Sequence, residues 1–304
     1  MKRHSLVSRR TTWIGIAFAA PFILNLVLLV VYPLVETFYY SFTDFNLFQA
    51  PQWVGLKNYA RMLNDRTFWQ SASNTAVFAF AGIPIYLTLA LVGAHILNTR
   101  IPLQGLWRAI IYLPSIVPVV VSAYLWKWLF NGQYGFVNYF LGILGLPAPN
   151  WLVDPQWMKP ATIIMIAWTV GGTTLIYLAG LREIPAELYE AASLDGAGPW
   201  RSFWSITWPM LSPITLFQSI VLLVAQIQIF NQPMLIVQEQ GFIQNMGGAG
   251  NSNLSYTMYL FQNAFNFLDM GYASAMAAAL FVATLVITGL LLASTRKWVT
   301  YDKN

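Results

Sequence analysis

The chain contains no cysteine and only two histidines, His4 and His95, in 304 residues. Disulfides, thiolate metal sites, iron-sulfur clusters and thiol catalysis are therefore excluded, and imidazole chemistry nearly so. Charge is also scarce: charged residues make up 9% of the sequence, against about a quarter in soluble globular domains. So few charges cannot solvate the surface of an ordinary domain, which excludes a soluble dinucleotide-binding enzyme, and the apolar content excludes intrinsic disorder. The formal net charge is only +5. Its basic residues sit at the edges of apolar runs, with no basic stripe interleaved with aromatics, so nucleic acid is not an expected partner. There is no tandem repeat, no low-complexity tract and no separable soluble domain.

What the sequence does have is apolar length, with 57% hydrophobic and 16% aromatic residues. A membrane-crossing helix needs about 20 mainly apolar residues. Six stretches meet this, near Trp13 to Pro33, Thr75 to Leu97, Trp107 to Phe130, Ala161 to Leu181, Pro213 to Val237 and Tyr272 to Ala293. The fold class is accordingly an all-α integral membrane protein with about six transmembrane helices. The first run follows Lys2, Arg3, Arg9 and Arg10, and Ala17-Phe18-Ala19 resembles a signal cleavage site. Too few apolar residues precede that tripeptide, and the run continues to Val31, so an uncleaved span is expected.

Orientation follows from the 16 Lys and Arg residues, since basic loops resist translocation. One side would hold Lys2, Arg3, Arg9, Arg10, Arg100, Arg108, Arg182, Arg201, Arg296, Lys297 and Lys303; the other only Lys57, Arg61, Arg66, Lys127 and Lys159. Both termini are therefore expected in the cytoplasm. Three longer polar segments, Glu36 to Asn74, Asn131 to Pro160 and Gln238 to Gly271, then face outward and look suited to contact a partner there.

The central turns of the six runs lack Asp, Glu, Lys and Arg, so neither a carboxylate proton relay nor an arginine voltage sensor is present. Lys127 comes nearest, but it lies between Trp126 and Trp128 at an interface. No metal site and no catalytic group is expected. Neutral hydrogen-bonding groups are present instead. At about 100° per residue, Gln228, Asn231 and Gln232 fall on one arc of the fifth run, with Gln226 nearly opposite. Amides both donate and accept, which suits a hydroxyl-rich neutral solute, although amides in lipid also bond helix to helix. Trp168, Thr169, Gly171, Gly172, Thr173 and Thr174 form a second polar stretch whose glycines allow close approach or a local break. In the third run Pro114 and Pro118 free backbone carbonyls, around Ser115, and kink or break the helix.

Residues 182–209 form the most informative loop. Pro185 suits the start of a helix, Gly196 the left-handed residue that ends one, Pro199 the start of a second, and Pro209 its close. Glu183, Glu187 and Glu190 would share one stripe, beside a face containing Leu188, Ala191, Ala192 and Asp195. An acidic edge beside small alanines fits a groove on another protein. Catalysis by these carboxylates would lack a nucleophile, a metal and an enclosing pocket. The glycine cluster Gly247-Gly248-Ala249-Gly250 lacks the Lys-Ser/Thr of a phosphate-binding loop.

Glu190-Ala191-Ala192, then Gly196, Ile206 and Pro209 at their spacings, resemble the EAA loop of ATP-binding-cassette importer permeases. Trp208 replaces the family's usual Leu before that proline. Asp195-Gly196-Ala197 and Phe203 resemble the carbohydrate-uptake branch. So do Tyr32-Pro33, Tyr40-Ser41-Phe42-Thr43-Asp44, Val54-Gly55-Leu56-Lys57-Asn58-Tyr59, Leu113 to Pro118, Phe230-Asn231-Gln232 and Asp269 to Ala275. The early motifs are similar to the maltose-type half of a non-identical permease pair. The resemblance implies a permease subunit, not an enzyme, of a binding-protein-dependent importer in a bacterial or archaeal plasma membrane, moving a sugar or oligosaccharide by alternating access. It implies a cytoplasmic EAA coupling helix between the fourth and fifth spans, with Glu187, Glu190, Ala191, Ala192, Asp195, Gly196 and Ala197 contacting the ATPase. The implied organisation is a cytoplasmic segment 1–12, a permease domain 13–295 that holds the coupling loop 182–209, and a cytoplasmic tail 296–304. The implied partners are a second homologous permease, a cytoplasmic ATPase dimer carrying ATP and magnesium, an external solute-binding protein, membrane lipid and the sugar. This chain itself would bind no cofactor. The candidate solute path consists of Ser115, Trp168, Thr169, Gln228, Asn231 and Gln232. The rivals are a glycerol-phosphate importer permease, which would call for Arg or Lys facing the path, and a secondary transporter that needs no ATPase.

Overall fold

The structure is a computed structural model that describes residues 9–237, 246–295 and 298–299, with side chains from Trp13 onward. Most of the expected cytoplasmic segments 1–12 and 296–304, with Lys2, Arg3, Arg296, Lys297 and Lys303, lies outside the described residues. Among the described residues, four helices are long and apolar enough to cross a membrane: Trp13–Tyr40, Arg66–Asn98, Pro199–Ile227 and Met270–Ser294. Two bent pairs, Gln104–Ile116 with Val119–Leu129 and Pro155–Ala167 with Gly171–Glu183, bring the number to six if each counts as one span. The only strands among the described residues are Thr43–Asp44 and Gln52–Trp53, paired antiparallel.

The bends have local causes. The third span turns by 102°, far beyond a simple kink. Val117 is extended at φ −66°, ψ 127° because Pro118 disfavours the helical region in the residue before it, and Pro118 then begins the next helix. Pro114 stays inside the helix and buried, so only one of the two prolines breaks the span. The fourth span bends by 51° across Trp168 to Val170, in the stretch expected to be soft. Just past this bend, a Cβ on Gly171 would run into the Ile111 carbonyl oxygen and lie 2.7 Å from the Tyr112 Cα. Glycine there lets the third and fourth spans touch backbone to backbone.

The fifth span departs from expectation at both ends. Pro209 does not close a separate short helix, because the chain runs helically from Pro199 to Ile227. A π turn at Phe203–Thr207 precedes Trp208, whose N–H bonds back to the Phe203 carbonyl. That widened turn accommodates the proline ring in the first turn of the following helix. At the other end the α-helix stops at Ile227, ten residues before the expected limit of Val237, and a short helix Asn231–Ile236 follows.

By contact the chain forms two units. The first comprises residues up to Asn64 together with Asn263–Phe281. Within it, the Asn58 side chain donates to the carbonyls of Ser41 (3.0 Å) and Thr43 (2.9 Å). Gly271 lies so close to the Thr43 carbonyl that a Cβ would collide with it, and the Gly271 N–H bonds to the Phe45 carbonyl at 2.9 Å. The Arg61 guanidinium pairs with Asp269 at 2.5 Å and lies 4.0 Å over the Tyr272 ring. The second unit, Asp65–Gln262 with the chain after Phe281, has its apolar core where Ala90, Ala94, Leu97, Tyr177, Leu178, Leu181 and Leu211 meet. Small side chains allow this close packing: a Cβ on Gly93 would lie 3.2 Å from Thr174, and one on Gly180 would be 3.0 Å from Leu211.

Candidate functional site

The loop between the fourth and fifth spans is built by proline and glycine. Ile184, before Pro185, is extended (φ −70°, ψ 120°) and ends the helix Gly171–Glu183; Pro185 then precedes the helix Ala186–Leu194. Glu183 therefore belongs to the preceding helix, and the acidic stripe reduces to Glu187 and Glu190. At the far end, the Gly196 N–H donates to the Ser193 carbonyl (3.0 Å) and the Ala197 N–H to the Ala192 carbonyl (2.8 Å). Gly196 sits at φ +74°. This crossed pair of bonds around a left-handed residue satisfies carbonyls that the helix end would otherwise leave open.

No residue of this helix is buried, and Leu194 at its end is 90% exposed. Glu187, Glu190, Ala191, Asp195 and Gly196 are exposed, with Ala192 and Ala197 half-buried. The seven candidate residues thus share one protruding surface. Beneath it, the Tyr189 hydroxyl shares a 2.9 Å hydrogen bond with the Thr207 hydroxyl. Tyr189 and Ile206 also pack on the core formed by Ala90, Ala94, Leu97, Leu181, Ile184 and Leu211. The protruding helix is therefore in direct contact with the ends of the second, fourth and fifth spans.

The candidate path residues lie at the breaks. Ser115 is exposed two residues before the extended Val117 of the third-span bend, its hydroxyl donating to the Tyr112 carbonyl at 2.6 Å. Trp168 and Thr169 are half-buried at the fourth-span bend. Trp168 meets Trp126 edge to face at 6.0 Å, and the Thr169 carbonyl accepts from the Tyr86 hydroxyl at 2.9 Å. The single helical arc expected for Gln228, Asn231 and Gln232 does not exist. Gln228 (φ −98°, ψ 16°) and Phe230 (φ −131°, ψ −55°) leave the helical region, so 100° per residue cannot be carried across them. Gln228 and Asn231 are exposed and Gln232 half-buried, whereas Gln226 is buried with its carbonyl oxygen unpaired. Gln218 Nε2, Ser122 Oγ and Trp126 Nε1 are likewise buried without a partner.

The sequence reading missed what holds the fifth-span break in place. Of the polar segment 238–271, residues 238–245 lie outside the described residues, and residues 246–262 pack within the second unit. Asn253 and Ser255 are fully buried. Ser255 and Thr257 hydroxyls both donate to the Ile229 carbonyl, at 2.7 and 2.5 Å, and Asn253 Nδ2 donates to the Pro233 carbonyl at 2.9 Å. These are carbonyls that the interrupted helix does not satisfy. The segment is itself tied down: Asn74 Nδ2 donates to the Asn251 and Leu254 carbonyls, Thr162 Oγ1 to Asn253 Oδ1, and the Tyr256 N–H to Thr75 Oγ1. The available signal was the run of short hydrogen-bonding side chains from Asn251 to Thr257, a composition suited to capping free backbone.

Chemically the candidate residues at the span breaks are neutral and rich in hydrogen-bonding groups. Among the described residues, no group of three or more His, Asp or Glu side chains could hold a metal ion.

The family model described as "Binding-protein-dependent transport system inner membrane component" matches residues 86–299. The probable ABC transporter permease protein of Bacillus subtilis is 36% identical over 297 residues, covering 97% of this chain and 94% of the relative. The trehalose/maltose transport system permease protein of Thermococcus litoralis is 34% identical over 286 residues, covering 93% and 94%. In fold, the chain is similar to one in the crystal structure of a bacterial ABC transporter involved in the import of the acidic polysaccharide alginate. The TM-score is 0.79 at 22% identity, covering 96% of this chain and 98% of that one.

Proposed function

The chain belongs to the family of binding-protein-dependent transport system inner membrane components, and on that premise we propose that it forms half of a pathway for a neutral sugar or oligosaccharide. It is a multi-pass permease subunit of an ATP-driven importer; ATP hydrolysis belongs to a separate subunit. The sugar assignment draws on the similarity to a trehalose/maltose permease and on the amides and hydroxyls at the span breaks. The remaining partners are a second permease, a cytoplasmic ATPase dimer holding ATP and magnesium, and an external solute-binding protein. Both termini and the loop 182–209 lie in the cytoplasm, with 13–295 as the permease domain.

One observation carries the mechanism: an exposed helix, Ala186–Leu194, is fastened through Tyr189 to Thr207 and to the ends of three spans. Seated in the ATPase through Glu187, Glu190, Ala191, Ala192, Asp195, Gly196 and Ala197, this helix moves with the closing ATPase dimer. Its displacement reaches the spans as a rigid-body rotation. The breaks at Val117, Trp168 to Val170, and Gln228 to Phe230 let the opposite halves respond, presenting Ser115, Trp168, Thr169, Gln228, Asn231 and Gln232 to the solute in turn.

The test is a pull-down of this chain from native membranes, with mass spectrometry of the partners and an ATPase assay of the eluate with maltose, trehalose or glycerol phosphate. The expected result is recovery of an ATPase and a second permease, with hydrolysis stimulated by sugar-loaded binding protein. Purification of the chain alone, together with uptake that survives ATP depletion while an ion gradient is maintained, would refute the proposal.

A further inference from the structure

Beyond the coupling helix, the link that leads into the fifth span carries a ladder of aromatic rings. Trp200 and Trp204 have ring centroids 5.8 Å apart, Trp204 and Trp208 5.9 Å, and Phe203 lies 6.1 Å from Trp200 and 5.2 Å from Trp204. On an uninterrupted α-helix, residues four apart drift round the axis by about 40° per step. Here the π turn at Phe203–Thr207 takes up an extra residue and returns the three indoles toward one line. The first two rungs face away from the protein, with Trp200 74% and Trp204 51% exposed, while Trp208 is half-buried. None of the three indole N–H groups has a hydrogen-bond partner among the described residues.

Length places this ladder relative to the bilayer. Pro199–Ile227 is 29 residues, about 44 Å of helix, against a hydrocarbon core of about 30 Å. The excess of about nine residues at 1.5 Å each matches the stretch from Pro199 to Thr207. That end also carries exposed Arg201, whereas the helix toward Ile227 is apolar. An indole combines an apolar body with a polar N–H and collects where one side is oily and the other wet.

We propose that Trp200, Trp204 and Trp208 form a lipid-contact ladder at the phospholipid headgroup level on the coupling-loop side of the membrane. Their rings lie among the glycerol and upper acyl groups, their N–H groups donate to lipid phosphate or ester oxygens, and Arg201 favours an anionic headgroup. Because Thr207 on this link holds Tyr189 of the coupling helix, lipid contact sets the depth at which that helix is presented. The alternative occupant is the ATPase subunit.

The absence of cysteine makes the test direct. Single variants Trp204→Cys, Gln133→Cys (exposed and away from the coupling loop) and Val221→Cys, each spin-labelled in the complete transporter without binding protein in phosphatidylcholine and phosphatidylglycerol nanodiscs, would be compared for collision with oxygen and with a water-soluble nickel chelate. The expected result places the label at 204 between the two references: less open to the chelate than at 133, and less rich in oxygen than at 221. An aqueous signature matching 133 would overturn the proposal. So would a label closed to both reagents that regains access when the ATPase is stripped away. If Trp204→Cys fails to assemble, Trp200→Cys at the more exposed rung carries the same comparison.

Discussion

Gly196 and Gly198 allow backbone conformation to be separated from space. Neither has any atom within 4 Å of where a Cβ would sit, yet Gly196 is at φ +74° and Gly198 at φ −73°. Gly196→Ala therefore meets no clash, and its whole effect is the cost of holding an L-residue in the left-handed region, ~1–2 kcal/mol. Gly198→Ala incurs no such cost. The free loop of Gly196→Ala can relieve the strain by unwinding the crossed bonds from Gly196 and Ala197, but the loop seated on the ATPase must keep them. The strain then appears as weaker docking, by a factor of roughly 5–30. Gly196→Val, β-branched and stiffer, falls at the far end of that range or beyond it, and uncouples transport. The assay is titration of detergent-purified permease with its ATPase subunit, followed by transport in proteoliposomes. Equal affinities for Gly196→Ala and Gly198→Ala, or unimpaired uptake with normal ATPase retention in Gly196→Val, would refute the reasoning.

Three further outcomes follow from packing and hydrogen bonding. Asn253→Ala strands the buried Pro233 carbonyl and costs ~1–3 kcal/mol for that group alone; scanning fluorimetry should register a lower melting temperature, and an unchanged value would contradict the capping role. Gly171→Ala forces a methyl onto Ile111 backbone that cannot move aside, a strain of ~1–3 kcal/mol, while neighbouring Gly172→Ala has open space; monodisperse yield on size exclusion should fall for the first only. Arg61→Ala removes a half-exposed ion pair to Asp269 and a contact over Tyr272, together worth about 1–2 kcal/mol. Arg61→Lys should recover only part of the loss, because the flat guanidinium stack is not replaced, and full recovery would show that charge alone matters.

The loop between the fourth and fifth spans was legible because its determinants are local. Pro185 dictates the conformation of Ile184, and Gly196 tolerates the positive φ that closes the helix; a reader of a dozen residues has all the information required. The fifth-span break was not legible for the opposite reason. Ile229 and Phe230 lie between Gln228 and Asn231, a mixture a helix can accept, and Pro233 alone does not say that the helix ends at Ile227. The carbonyl of Ile229 is satisfied by Ser255 and Thr257, which are distant in sequence, so the break exists only once the returning segment is in place. The π turn at Phe203–Thr207 was equally hidden, since nothing in Phe-Trp-Ser-Ile-Thr distinguishes a widened turn from an ordinary one. In the third span, the residues named both prolines but not which one acts. Pro118 breaks the span because Val117 is extended, whereas Pro114 is absorbed within the helix.

In the proposed mechanism, two kinds of contact in the second unit divide the labour of transport. Around the coupling helix, Ala90, Ala94, Leu97, Tyr177, Leu181 and Leu211 pack through dispersion and apolar burial, with Gly93 and Gly180 bringing the helices close. Close-packed interiors compress little and pass a displacement on undiminished. Around the fifth-span break the joining contacts are hydrogen bonds from Asn253, Ser255 and Thr257 to free carbonyls. Such bonds have net values near 1 kcal/mol, and together they fix the shape of the break while leaving Gln228 and Asn231 exposed. In the proposed mechanism the stiff end receives force and the exposed amides of the interrupted end meet the solute. The sequence divides them in this way, concentrating small and apolar residues beside the coupling loop and short polar ones from Asn251 to Thr257.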